Sequence, residues 1–260
     1  MKRIYVGLTV LWLLTEPAMA VAQDVEEANL EFFYPIVTRR PVIERELEFK
    51  LEQSKGREGH LTELSAAIEW PVLPRWQIEL EVPFVINFPS DAATTGGPGD
   101  LEIENKFLLY RSVENRLLVA AGFTTTLPSG SEHKGLGGEL AVEPFVTAAI
   151  ALGPFDLLAE ASYKWTFDPE KAQEFDGGLA AAWPLSRWFT PFLEMNTVVV
   201  TAGSEDEDAP SLRGRLQLYL TPGFNVRPLP GMTFRAGVQL PVTGARTFNY
   251  AVHAGLVWEF

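Results

Sequence analysis

The chain has 260 residues, 47% of them hydrophobic, with no cysteine and a formal net charge of -13. That hydrophobic share excludes a disordered polymer, the missing thiols exclude a disulfide framework and thiolate metal sites, and the negative charge opposes nucleic acid, whose phosphates it repels. Mean hydropathy is only +0.04, and beyond residue 22 no stretch approaches the roughly 18 consecutive apolar residues of a spanning helix.

Lys2 and Arg3 precede an apolar run, Ile4 to Leu14, and Pro17 leads into Ala18-Met19-Ala20. A positive start, a short apolar stretch and small residues at alternate positions predict a secretory signal over residues 1–20, cleaved after Ala20 or, through Ala20-Val21-Ala22, after Ala22. Residues 21–41 form a separate segment carrying Leu30, Phe32, Phe33 and Tyr34. Three placements fit it: a plug in a lumen, a periplasmic extension, or a strip along the membrane.

From residue 42 to 260 the pattern has period two. Leu47, Phe49 and Leu51 interleave with Glu46, Glu48, Lys50 and Glu52; Leu64, Ala66, Ile68 and Trp70 with Glu63, Ser65 and Glu69; Ile78, Leu80, Val82 and Phe84 with Gln77, Glu79 and Glu81. A strand gathers those glutamates on one face, whereas a helix scatters them. Similar segments fall near 100–110, 116–127, 139–150, 155–167, 174–183, 188–198, 211–221, 232–242 and 248–260, each long enough to cross a bilayer at barrel tilt. The predicted fold is all-β: a transmembrane antiparallel up-and-down β-barrel of about 12 strands, within a range of roughly 10–14.

The links support this. With the N-terminus in the periplasm, outward links are expected to be long and periplasmic ones short. Ser54–Leu61, Ile86–Gly99, Pro128–Gly138, Asp168–Gln173 and Val199–Pro210 are polar and long, while the links at 71–75, 111–115, 151–154 and 184–187 are mostly tight. Two links break the rule: Pro222–Gly231 is long and Thr243–Thr247 short. Trp70, Trp76, Trp183 and Trp188 flank short turns, and Tyr163, Trp165 and Phe167 end a strand at the opposite side, as aromatic girdles require.

The last strand carries Phe248, Tyr250, Val252, Ala254, Leu256, Trp258 and Phe260 in one alternating row. Tyr250, Trp258 and the terminal Phe260 look like the closing signal with which outer-membrane barrels engage their assembly machinery. Soluble lipocalin-like barrels alternate too, but point their apolar residues inward.

The alternation sets an acidic lumen wall: Glu46, Glu48, Glu63, Glu79, Glu81, Glu102 and Glu104, with Glu44, Glu52 and Glu69 beside them. Arg213, Arg215 and Arg235 are expected inward on the tenth and eleventh strands, facing that wall once the last strand pairs with the first. Two readings stand: a charged constriction that selects solutes, or ion pairs that fill a narrow lumen. No catalytic, metal or cofactor site is predicted. The three histidines, His60, His133 and His253, lack a nucleophile context, a flanking acidic pair or metal-ligand spacing, and the glycines at 96, 97, 99, 135, 137 and 138 have no Lys-Ser/Thr after them. The run Glu205-Asp206-Glu207-Asp208 reads as a solvated loop or a divalent-cation contact.

Several segments carry a family resemblance: Gly99-Asp100-Leu101 running into Lys106-Phe107; Gly122-Phe123 to Leu127-Pro128-Ser129-Gly130, then Gly135-Leu136-Gly137-Gly138; and Thr190-Pro191-Phe192-Leu193-Glu194-Met195-Asn196. Over roughly residues 60–260 the chain resembles the outer-membrane transporters named for the meta-pathway of phenol degradation, departing from them at the plainer stretch Glu139 to Val142. The resemblance implies a barrel in outer-membrane lipid that admits small organic molecules, aromatic ones included, and it carries over no substrate-contacting residue. The expected function is a channel for small solutes. The alternatives are a non-transporting barrel with a filled lumen, either structural or binding a surface partner, and an outer-membrane hydrolase.

Overall fold

The computed structural model describes residues 30–57, 59–168, 172–203 and 212–260. The predicted signal with its cleavage sites, the start of the 21–41 segment and the acidic run at 205–208 lie outside the described residues.

Twelve strands form the wall: β1 (Glu46–Lys55), β2 (Gly59–Leu73), β3 (Trp76–Pro89), β5 (Leu101–Ser112), β6 (Leu117–Leu127), β7 (Ala141–Leu152), β8 (Phe155–Thr166), β9 (Gln173–Ala182), β10 (Phe189–Ala202), β11 (Leu216–Leu229), β12 (Met232–Pro241) and β13 (Tyr250–Glu259). The short β4 (Thr95–Pro98) prolongs β5. Both pair with β3, Glu81 opposite Glu102 and Phe84 opposite Pro98, so the register slips by one residue at Gly99-Asp100, as at a bulge. Every wall strand is antiparallel to its chain neighbour, and β1 pairs with β13 from Glu46↔Glu259 to Lys55↔Tyr250. That closure leaves none of the twelve wall strands at a free edge, the condition for a sheet to sit in lipid.

The two faces of each strand go where the alternation sends them. Phe49, Leu64, Ile68, Val82, Leu179 and Leu193 are exposed on the outside, while Glu46, Gln77, Lys106 and Glu194 are buried inside. An apolar exterior around a polar interior is the inverse of a soluble barrel and fits a hydrocarbon solvent. Ring pairs collect at one end: Trp76 on Phe107, Phe155 on Trp183, Phe189 on Phe224, and Trp70 and Trp258 on Phe260.

Short turns close that end and mostly longer links the other. The expected long link Ser54–Leu61 is an exception, because β1 runs on to Lys55 and β2 starts at Gly59, while both exceptions in the sequence disappear. β11 starts at Leu216 and runs through Pro222 to Leu229, so a tight Pro230-Gly231 turn replaces the expected long link. Pro222 read as a strand breaker because it lacks an N–H. In the barrel the β11–β12 ladder simply skips that position, pairing Leu220↔Leu240 and then Gly223↔Gly237. The β12–β13 link spans 242–249, longer than expected. Phe248 belongs to this link and stacks on the inward Tyr219 at 4.7 Å, so the outward row begins at Tyr250.

Two pieces of the family resemblance meet at the long-link end. The Asp100 carboxylate accepts the N–H groups of Gly130, Gly138 and Glu139 at 2.8–2.9 Å, tying the β6–β7 link to the bulge. Gly137, at φ 137°, passes so close that a Cβ there would lie 2.6 Å from the carboxylate.

Candidate functional site

Residues 30–45 do not lie on the membrane face. They enter the lumen from the turn end, reach mid-barrel and return to start β1. At the turn end, Phe32, Phe33, Val42 and Ile43 form an apolar cluster with the inward Leu108, Leu118, Leu158, Ala180 and Phe192. Phe33 packs on Phe192 with ring centroids 5.4 Å apart.

Above that base the segment is polar and the wall answers it group by group. Asn225 of β11 accepts the Tyr34 N–H at 2.7 Å and donates to the Tyr34 carbonyl at 2.8 Å. The carboxylate of Glu194, on β10 and fully buried, accepts the N–H groups of Ile36, Val37 and Thr38 at 2.6, 3.1 and 2.9 Å. A buried carboxylate needs several donors to offset its lost hydration, and an irregular buried backbone needs acceptors; each supplies the other. The Arg235 guanidinium of β12 bonds the Pro35 carbonyl and the Glu48 carboxylate.

Arg39 stands at the apex. Its guanidinium pairs with Glu104 of β5 (3.1 Å), Glu143 of β7 (3.0 Å) and Glu160 of β8, and lies over the Phe145 ring, 4.8 Å from its centroid. Its N–H donates to Glu160 at 2.6 Å, and its carbonyl accepts from Thr147 Oγ1 at 2.7 Å. Arg40 pairs with Glu44 at 2.5 Å and Glu46 at 3.2 Å, with its guanidinium 3.5 Å from the centre of the Tyr34 ring. The Tyr34 hydroxyl donates toward Glu46 and Glu259, 3.0 and 2.5 Å away.

These cations answer a specific problem in the wall. Glu46, Glu69, Glu79 and Glu104 sit side by side in register across β1, β2, β3 and β5. Like charges at directly opposed positions repel. Lys106 lies 3.3 Å from Glu69 and 3.8 Å from Glu104, and Lys50 is 2.7 Å from Glu81 and 3.7 Å from both Glu48 and Glu79. The wall lysines therefore cover part of the belt, and Arg39 and Arg40 of the plug cover more.

Glycines give the plug its seat. A Cβ at Gly178 would lie 2.9 Å from Thr38 Oγ1, one at Gly237 2.6 Å from Ile36 Cδ1, and one at Gly223 2.4 Å from the Phe192 ring that carries Phe33. Gly255 clears the path along which Arg235 reaches across β13 to Glu48, and Gly122 lets the Phe145 ring lie beneath Arg39.

Between the plug and the acidic wall remains a cavity of about 240 Å³, lined by Val37, Arg39 and Arg235 together with Glu46, Glu48, Glu79, Glu81, Glu102 and Glu104. Glu63 lies further toward the long links, opposite Glu52. Of the three arginines expected to face this wall, only Arg235 does. Arg213 and Arg215 precede β11 and are exposed in the β10–β11 link, because the strand begins later than its pattern indicated.

Sequence reasoning did not single out Arg39, Arg40, Glu143, Glu160 or Asn225, and it listed Glu194 only as part of a resemblance. The signal was present: each of the four wall residues is a polar position on a strand that otherwise pairs polar with apolar, but alternation says which face a side chain takes, not what occupies the lumen. In the segment Thr190–Asn196 the inward residues Phe192 and Glu194 both dock the plug. His253 Nδ1 stands 3.6 Å from Glu52, beyond a hydrogen bond, and its buried Nε2 has no partner among the described residues.

No family model matches the chain and no curated protein matches it. Solved structures do. An outer membrane channel from Pseudomonas putida F1 superposes with TM-score 0.66 and 12% identity, covering 88% of this chain and 100% of that one. The NanC porin gives TM-score 0.58 and 11% identity over 82% and 100% of the two chains. The translocator domain of the autotransporter NalP from Neisseria meningitidis gives 0.57 and 9% over 96% and 97%. At these identities the likeness is one of fold.

Proposed function

We propose that the protein is an outer-membrane channel for small solutes, closed by its own N-terminal segment. The carrying observation is the plug: residues 30–45 fill the turn half of a closed barrel whose wall above them is acidic and bounds a cavity. Where such a segment is held by hydrogen bonds and ion pairs over its polar apex, its withdrawal leaves a path that is polar above and apolar at the turn end, where Leu108, Leu118, Leu158 and Phe192 line it. The channel-like neighbours support this reading, as does the resemblance to the phenol meta-pathway transporters for the solute class, small organic molecules including aromatic ones. The acidic lining favours neutral or cationic solutes over anions. Export by the N-terminal signal, residence in the outer membrane with the long links outward, and engagement of the assembly machinery through Tyr250, Trp258 and Phe260 belong to the same reading.

The test is planar-bilayer conductance of the refolded mature protein beside a variant lacking residues 30–41. Mostly silent wild type and steadily conducting variant are the expected pair. A deletion variant that inserts and folds but stays silent overturns the channel. A second reading, a permanently filled barrel whose long links bind a surface partner, draws on the glycine seats, which fit the plug closely; it is the reading that a silent variant would leave.

A further inference from the structure

We propose that the Arg39 pocket is a binding site for small organic cations bearing a guanidinium or amidinium group, and that Arg39 is its resident ligand. The inference rests on the channel reading and names a solute class for it. The pocket belongs to the wall, not to the plug: Glu104, Glu143 and Glu160 come from β5, β7 and β8, and the Phe145 ring lies between them over Gly122. Three carboxylates reached by three different nitrogens of one planar cation, with an aromatic face against it, match the fork of a guanidinium. A bare metal ion is a poorer fit: among the described residues no group of three acidic or imidazole side chains converges closely enough to hold one.

The site also has access. Arg39 and Glu104 border a cavity that extends to Glu81 and Glu102, on the long-link side of the acidic belt, so a solute entering from that end meets the pocket before the apolar base of the plug. Withdrawal of Arg39 strands three largely buried carboxylates, and unpaired buried charge is strongly disfavoured. A cation that takes its place removes that penalty. Plug displacement and solute binding are then one exchange, in which anions of the same size have no part.

The experiment is calorimetric titration of methylguanidinium into the refolded protein in detergent, at ionic strength held constant with sodium. Arg39→Ala is expected to bind at least about tenfold more tightly than wild type, because the resident competitor is gone, and the added Glu160→Gln is expected to abolish the gain. In parallel, Ile36→Cys in a chain that has no other cysteine reports plug withdrawal, since Ile36 packs on Gly237. Methylguanidinium is expected to accelerate thiol labelling there several-fold, and sodium is not. A folded Arg39→Ala that does not distinguish methylguanidinium from sodium, or binding that survives Glu160→Gln, overturns the proposal. Should Arg39→Ala fail to fold, unchanged labelling of Ile36→Cys overturns it alone. Conductance plays no part in these readouts, so a cation-binding but silent barrel sinks the channel and keeps the site, and a conducting barrel indifferent to methylguanidinium does the reverse.

Discussion

Asn225 holds Tyr34 as a neighbouring strand would, accepting its N–H and donating to its carbonyl with a single side-chain amide. Both residues are buried, so water cannot replace the amide. Asn225→Leu preserves size and removes both bonds, leaving a buried donor and acceptor unmet at about 1–3 kcal/mol each. The loss falls on the plug and not on the wall, whose ladders run through the Asn225 backbone. Hydrogen exchange is therefore expected to speed up at the amides of residues 34–38 and stay unchanged in β10 to β12. Equal acceleration across those strands would show that Asn225 supports the barrel itself.

Gly178 lies on β9 between Glu160 of β8 and Asn196 of β10, with Thr38 above it. The atoms nearest a Cβ there belong to side chains, Thr38 Oγ1 at 2.9 Å and Cγ2 at 3.3 Å and Asn196 Nδ2 at 3.4 Å, and strand backbone favours β-branched residues. Gly178→Val is thus expected to leave the wall intact and lift the plug, exposing Ile36→Cys to thiol reagents. Thr38→Gly in the same chain is expected to restore protection, with a coupling of about 1 kcal/mol between the two sites. Protection that Gly178→Val leaves unchanged would mean the seat has slack that the geometry denies.

The barrel was legible because period-two alternation is a local property: each strand states its own inward and outward face. Strand ends were less so. Pro222 hid the true course of β11, since loss of one ladder bond is tolerable where both neighbours pair on either side of it. The acidic wall followed from the same alternation, but its partners did not. Arg39 meets Glu104, Glu143 and Glu160 across 65 to 121 positions of chain. Residues 30–45 have no periodicity to read, so their place in the lumen appears only once the wall is built around them. The glycines were equally silent: Gly178, Gly223 and Gly237 look like weak points in strands until something fills the space above them.

Arg235 and the pair Arg213 and Arg215 separate the lumen's true basic group from the expected one. Arg235 joins β12 to β1 through Glu48 and carries the Pro35 carbonyl as well, with both side chains of the ion pair nearly buried. Removing one partner of a buried pair typically costs about 3–5 kcal/mol. Here Lys50 remains 3.7 Å from Glu48, so Arg235→Ala is expected to destabilise by the lower part of that range or less. Adding Glu48→Gln removes the stranded charge and is expected to recover part of the loss. Arg213→Ala and Arg215→Ala, at exposed positions outside β11 where water screens any ion pair, are expected to cost no more than about 1 kcal/mol each. Urea unfolding of all four variants in lipid vesicles, followed by tryptophan fluorescence, measures the series. Equal losses at the three arginines would place Arg213 and Arg215 back in the wall and contradict the late start of β11.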